Sequence, residues 1–259
     1  MWPALDSGLF IFRLFDPMSI LDRSIRQHRY QLIDTARGIA FVAMAIYHVC
    51  VFSRLYGYLD INIQHSLFWK GFQKSIAGTF FPLVGVSLYL ANTPAIRPRK
   101  YIYRLAKLIV FAGVVTAASL FLNPNAIVTF GVLHSIAVCS VLGLLFLRFN
   151  YVNVLIGIAI ITIGIWCSHP IFNNPALYWT GLGTYRILSF DFQPLFPWFG
   201  VVVPGITAGR YFEVLRVSSW HNSSFTAKFL TLIGQHSLFL YMAHVPIILG
   251  ILEIIKFLS

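Results

Sequence analysis

Three histidines stand inside long apolar stretches of this sequence: His48, His134 and His244. An ionisable group within a hydrocarbon layer is costly and needs a reason. A neutral imidazole can take a proton near pH 7 without strong tuning, so such residues are candidates for general-base chemistry or proton relay. The first apolar stretch also carries Asp34 and Arg37, three apart and so on one helical face. Arg37 and His48 are eleven apart, which puts them on a common face about 16 Å apart in height. One helix would then hold an acid–base pair near one mouth and an imidazole toward the other. Asp34 and Arg37 could organise an inner mouth or stitch neighbouring helices.

Counted from helix ends, His48, His134 and His244 fall roughly 18–23 Å from one face. Independent structural histidines have no reason to share a depth, so a common polar cavity is expected. His65 and His169 fall in loops just beyond it. His28, His221 and His236 fall near the opposite face and read as ordinary interfacial residues. No HxxxH or HxxE spacing is present and carboxylates are absent from the depth of the three histidines, so no metal site is expected. His236 and His244 are eight apart and about 80° off a shared face, which argues against a haem pair. Neither a glycine-rich phosphate loop nor a GxSxG elbow is present.

The elements that position these residues follow from composition. The chain has 259 residues, 58% hydrophobic and only 10% charged, against about 25% charged in a soluble domain. Such a surface suits lipid rather than water. The formal charge of +11 comes from cations that flank apolar segments, as orientation in a membrane requires, and not from a nucleic-acid face. Apolar segments over roughly 31–52, 71–92, 104–122, 126–147, 151–168, 195–212 and 229–256 could each cross a bilayer at about 20 residues per span. The expected fold is an all-α, polytopic transmembrane bundle of about seven spans. Pro197 and Pro204 imply that the sixth is kinked or begins broken, and Pro246 implies tilt or a kink in the seventh. Arg13, Arg23, Arg26, Arg29, Arg97, Arg99, Lys100, Arg104, Lys107, Arg148, Arg210, Arg216 and Lys228 share one side if the amino terminus is cytoplasmic. Residues 1–29 then form a cytoplasmic or interfacial segment, and 30–259 a single transmembrane domain. Cys50, Cys139 and Cys167 form no CxxC and read as free thiols.

The dense cations of Arg97-Pro98-Arg99-Lys100, continuing to Arg104 and Lys107, fit anionic lipid. They also fit the phosphates of a donor such as coenzyme A.

Five stretches in order resemble the heparan-α-glucosaminide N-acetyltransferase catalytic-domain family, most closely its short bacterial members. They are Arg29-Tyr30-Gln31-Leu32-Ile33-Asp34-Thr35-Ala36-Arg37-Gly38 running on to His48, Phe81-Pro82-Leu83-Val84-Gly85, and Phe130-Gly131-Val132-Leu133-His134. Asp191-Phe192-Gln193-Pro194-Leu195-Phe196-Pro197-Trp198 and Gly234-Gln235-His236-Ser237 through His244-Val245-Pro246 complete the set. The resemblance implies an integral protein of a bacterial inner membrane. It implies an acyltransferase that uses acetyl-CoA or another acyl-CoA as donor substrate, with no permanently bound cofactor. The acceptor would be a glycan-type or other small amine or hydroxyl outside the cytoplasm. An active-site histidine follows the first helix in this family, and His65 matches that position; His48 stands where eukaryotic members carry Asn. The catalytic candidates are therefore His48, His65, His134 and His244, with Arg97, Arg99 and Lys100 for the donor phosphates. Membrane lipids and a second copy of the chain are the other expected partners. A proton-coupled transporter using the same histidines is the rival reading.

Overall fold

The computed structural model describes residues 17–63, 66–122, 124, 127–185, 189, 191–214 and 222–258, with backbone only for 17–30, 122, 213 and 214. It is all-helical, with no strand among the described residues. The helices are α1 (Pro17–Leu55), α2 (Leu67–Asn92), α3 (Pro98–Leu122), α4 (Val132–Gly143), α5 (Val152–Trp166), α6 (Leu195–Val214), α7 (Phe225–Gln235) and α8 (Ser237–Leu258). Four are long and apolar enough to cross a membrane: α1 over Gln31–Leu55, α2, α3 over Pro98–Phe121, and α8. Val132–Phe146 and Val152–Trp166 are apolar but shorter. Helix α1 runs unbroken through the boundary expected at residue 30.

Apolar residues face outward as well as inward. Ile39 and Ile46 on α1, Val110 on α3, Leu155 on α5 and Ile251 on α8 are all exposed. Water would penalise that much apolar surface, whereas hydrocarbon does not. The inner packing joins α2, α4 and α6 through Phe81, Val84, Cys139, Val202 and Val203. Helices α2 and α6 approach backbone to backbone: a Cβ on Gly85 would lie 2.1 Å from the Val202 carbonyl. Small residues permit such contact where no hydrophobic driving force separates helix from lipid. Helix α7 meets α1 in the same way, at Gly38 and Gly234, and Thr35 and Thr231 share a 2.9 Å hydroxyl hydrogen bond across that contact.

Two boundaries differ from the hydropathy reading. The seventh apolar segment, 229–256, is two helices that break at His236. The His236 backbone leaves helical geometry there, at φ −101° and ψ 12°, and its Nδ1–H donates to the Leu232 carbonyl at 3.0 Å. Pro246 lies inside α8. The fourth helix starts at Val132, not 126, because Val128 is buried as part of a connection. Phe196 departs from helical geometry, so α6 does begin broken, as its prolines suggested. All three cysteines are free, and Cys139 is fully buried.

Helices α1 and α8 run side by side in the same direction. His48 meets His244, Phe52 packs with Ile248 and Leu252, and the Tyr56 hydroxyl donates to Glu253 at 2.6 Å. Each step of about eight residues on α1 is matched by a similar step on α8.

Candidate active site

The His48 and His244 rings pack edge to face, with centroids 5.0 Å apart. Each ring is oriented by its own helix. The His48 Nδ1 lies 3.0 Å from the Met44 carbonyl, and the His244 Nδ1 lies 2.7 Å from the Tyr241 carbonyl. A carbonyl only accepts, so both Nδ1 atoms carry the proton in the neutral rings and both Nε2 atoms keep their lone pairs. The Nε2 of His244 is buried and has no hydrogen-bond partner among the described residues. A buried, unsatisfied acceptor of this kind calls for an explanation, and a donor group arriving on a substrate supplies one.

Three cavities meet at His48. The first, about 350 Å³, runs from Arg37, Ser87 and Arg104 to His48, Asp191 and Gln193. Its length follows from the rise along α1 between Arg37 and His48, about 16 Å. The second, about 390 Å³ and mostly apolar, lies between α1, α3 and α8 and is lined by His48 and His244. The third, about 510 Å³, is a vestibule bounded by Tyr47, His48, Arg54, Gln73 and Ser189.

At the far end of the first cavity the Arg37 Nη1 donates to the Asp34 Oδ1 at 2.8 Å, and its Nη2 donates to the Ser87 hydroxyl. The pair expected at an inner mouth therefore forms. Arg104 lines the same cavity, so one carboxylate stands against two guanidinium groups and the end is net positive. Arg97, Arg99 and Lys100 are exposed and line none of the three cavities. They precede Arg104 by one to two helical turns.

His134 stands apart from the other two histidines. Its Nδ1 accepts from the Gly131 N–H at 3.2 Å, and its Nε2 lies 3.3 Å from the Thr116 hydroxyl. That hydroxyl donates to the Val128 carbonyl at 2.7 Å, so the ring must donate from Nε2. His134 thus ties the start of α4 to α3, with both nitrogens engaged. His65 lies outside the described residues.

Asp191 overturns the expectation that no carboxylate reaches the histidine depth: it lines both the first and second cavities. It belongs to the non-helical connection ahead of α6, which hydropathy reads as an exposed loop. Its Oδ2 accepts from the Val132 N–H at 3.2 Å and from the Tyr241 hydroxyl. Burial pushes the Asp191 carboxyl up to about 6, while those two donors pull the other way. The only sequence signal was its place in the stretch Asp191-Phe192-Gln193-Pro194. The start of α4, held by His134, is what presents the Val132 N–H to this carboxylate. Replacing His134 with alanine is expected to lower stability by about 1–2 kcal/mol through two lost hydrogen bonds. Catalytic turnover should fall less than about tenfold, since a positioning contact is lost and not a proton acceptor. Thermal melts and transfer rates on the same preparation would check both.

The fold and site define an integral membrane protein in which half-buried His48 and buried His244 stand at the junction of a cation-ended cavity, an apolar chamber and a polar vestibule. The chain belongs to the heparan-alpha-glucosaminide N-acetyltransferase catalytic-domain family, whose match covers residues 29–246. That is a family of membrane acetyltransferases that use acetyl-CoA as donor. Neither a curated protein nor a solved structure matches the chain.

Proposed function

We propose that this protein is a multi-pass acyltransferase of a bacterial inner membrane that moves an acetyl or other acyl group from coenzyme A to an extracytoplasmic amine or hydroxyl. The observation that carries the reading is the continuous cavity joining two guanidinium groups to the His48 imidazole. Helices α1–α6 and α8 would make the seven crossings, with the amino terminus cytoplasmic and α7 remaining on the inner side. The parallel run of α1 and α8 supports this count, because five crossings between them return the chain to the starting face. Residues 30–259 then act as one transmembrane domain.

In this reading the donor occupies the cation-ended cavity. Arg37 and Arg104 attract its phosphates, and the exposed Arg97, Arg99 and Lys100 gather the nucleotide end. The thioester reaches His48. The acceptor N–H or O–H gives its proton to the His48 Nε2 as its nitrogen or oxygen bonds to the acyl carbon. The carbon–sulfur bond breaks, and the proton passes to the departing thiolate. Where the acceptor is an amine, His244 accepts a hydrogen bond from its second N–H, and Asp191 with Tyr241 forms a neighbouring wall. His65, which the family resemblance makes a candidate base, is tested beside His48.

The test is acetyl transfer and thermal stabilisation by acetyl-CoA with purified protein in detergent. Acetyl-CoA should raise the melting temperature, which a proton-coupled transporter has no reason to show. Arg104→Gln should weaken the apparent donor affinity at least about tenfold, in keeping with a partly buried charge–phosphate contact. Replacing Arg97, Arg99 and Lys100 together with glutamine should weaken it only about threefold at low salt, and not at all near 0.5 M salt, because exposed charges are screened. The absence of stabilisation by acetyl-CoA, together with a donor affinity unchanged by Arg104→Gln, would remove the reading.

A further inference from the structure

The second cavity has no task in a reaction between coenzyme A and a water-borne acceptor. The donor has the cation-ended cavity, and a soluble acceptor would have the vestibule. The remaining chamber, about 390 Å³, falls within the roughly 300–1,000 Å³ of small-ligand sites. Its wall is almost wholly apolar: Val114, Val115 and Ala118 of α3 face Val245, Pro246 and Leu249 of α8. Val114, Ala118 and Pro246 are exposed. They sit in two helices that are each long and apolar enough to span a bilayer. Phe111 and Val115 of α3 and Leu238, Tyr241 and Met242 of α8 pack on one apolar cluster, and Val115, Tyr241 and Met242 also line the chamber, so the cluster bounds it on that side. The chamber therefore opens sideways into hydrocarbon.

Its inner end is the catalytic pair. His48 and His244 both line the chamber, and His244 lines neither of the other two cavities. His244 is only 8% exposed, and its Nε2 has no partner among the described residues. An apolar passage ending on an unsatisfied acceptor fits an amphiphile with a hydrocarbon chain and a hydrogen-bond donor at its head. Tyr56 at the rim pairs with Glu253, so polar groups border the passage on the side where a lipid head group would lie.

We infer that the acceptor is a membrane lipid whose amine- or hydroxyl-bearing head group reaches His48 and His244 through a lateral portal between α3 and α8, with its hydrocarbon chain in the apolar chamber. The inference rests on the acyltransferase reading and narrows its acceptor class. A head-group amine holds one N–H on the His244 Nε2 while His48 takes the proton of the other, and a head-group hydroxyl gives its single proton to His48, as the acyl–nitrogen or acyl–oxygen bond forms. The carbon–sulfur bond to coenzyme A breaks, and the thiol leaves through the cation-ended cavity.

The experiment uses the full chain in vesicles of phosphatidylethanolamine and phosphatidylglycerol, which offer a primary amine and hydroxyls. One fraction of the phosphatidylethanolamine carries a photoreactive diazirine at the end of an acyl chain. Irradiation should place adducts on the chamber residues Val115, Met242 and Val245, and Ala118→Trp at the portal should reduce them at least tenfold. With radiolabelled acetyl-CoA, radioactivity should enter the organic-soluble lipid fraction, and Ala118→Trp should reduce that at least tenfold. Leu120→Trp, exposed on the same helix outside the chamber, should leave both readings unchanged. Adducts confined to outward residues such as Val110 and Ile247 would overturn the inference. So would label that stays in the aqueous fraction, or chamber adducts displaced by octanoyl-CoA but not by acetyl-CoA. The last result would assign the chamber to the acyl chain of the donor. Thermal stabilisation by acetyl-CoA, read on the same protein, separates failure of the portal from failure of the acyltransferase reading.

Discussion

His48→Ala and His48→Gln are each expected to lower acyl transfer by about 10²–10⁴-fold, the range for a lost general base. Among the described residues His48 alone lines all three cavities, so donor, acceptor and chamber converge on it. Its Nδ1–H is committed to the Met44 carbonyl, which leaves the Nε2 lone pair for the reacting proton. Glutamine can reproduce a hydrogen bond at this position but cannot carry a proton away. It fills most of the space that alanine would leave between Phe52 and the His244 ring, so folding should survive in at least one variant. The guanidinium end of the donor cavity, which holds the phosphates, lies about 16 Å away along α1, so stabilisation by acetyl-CoA should persist. His65→Ala belongs in the same series. A full rate in the His48 variants with a large loss in the His65 variant would move the base to the loop after α1.

The second large effect concerns stability. Gly234→Val is expected to destabilise the protein by at least about 3 kcal/mol, at the upper end of overpacking effects. A Cβ at Gly234 would stand 1.7 Å from the Asp34 carbonyl oxygen, and one at Gly38 would stand 2.0 Å from that of Leu230. Both obstacles are backbone, so no side chain can swing aside. Helix α7 would have to lift from α1, carrying with it the Thr35–Thr231 contact and the wall beside Asp34 and Arg37. Gly250→Ala supplies the control. Nothing lies within 4 Å of a Cβ there, and alanine in a helix interior gains up to about 1 kcal/mol over glycine. Thermal melts in detergent should therefore move in opposite directions for the two substitutions. Equal melting temperatures for Gly234→Val and the unaltered protein would mean that α7 is not held against α1.

How much of this was legible in the sequence depends on whether one helix or several were involved. The Asp34–Arg37 pair needed only a spacing of three, and it forms. The meeting of His48 with His244 followed from comparing depths in two helices, each counted from its own end. His134 passed the same depth test, yet its ring is consumed by Gly131 and Thr116. Depth along a helix says nothing about the direction in which a side chain leaves it. Asp191 escaped for the opposite reason. Its local sequence is that of a polar connection, and only the packing of α4 and α8 around it creates the burial. The break at His236 was invisible to hydropathy because apolar residues continue on both sides of it. Arg104 was visible only as one charge in a dense run, and its separation from Arg97, Arg99 and Lys100 needed the cavity wall.

The most direct measurement is a structure of the full chain with a non-transferable acetyl-CoA analogue. The account predicts phosphate density against Arg37 and Arg104 and the thioester position within hydrogen-bonding or van der Waals reach of the His48 imidazole. An analogue bound elsewhere, with the space between those guanidinium groups and His48 left vacant, would contradict it.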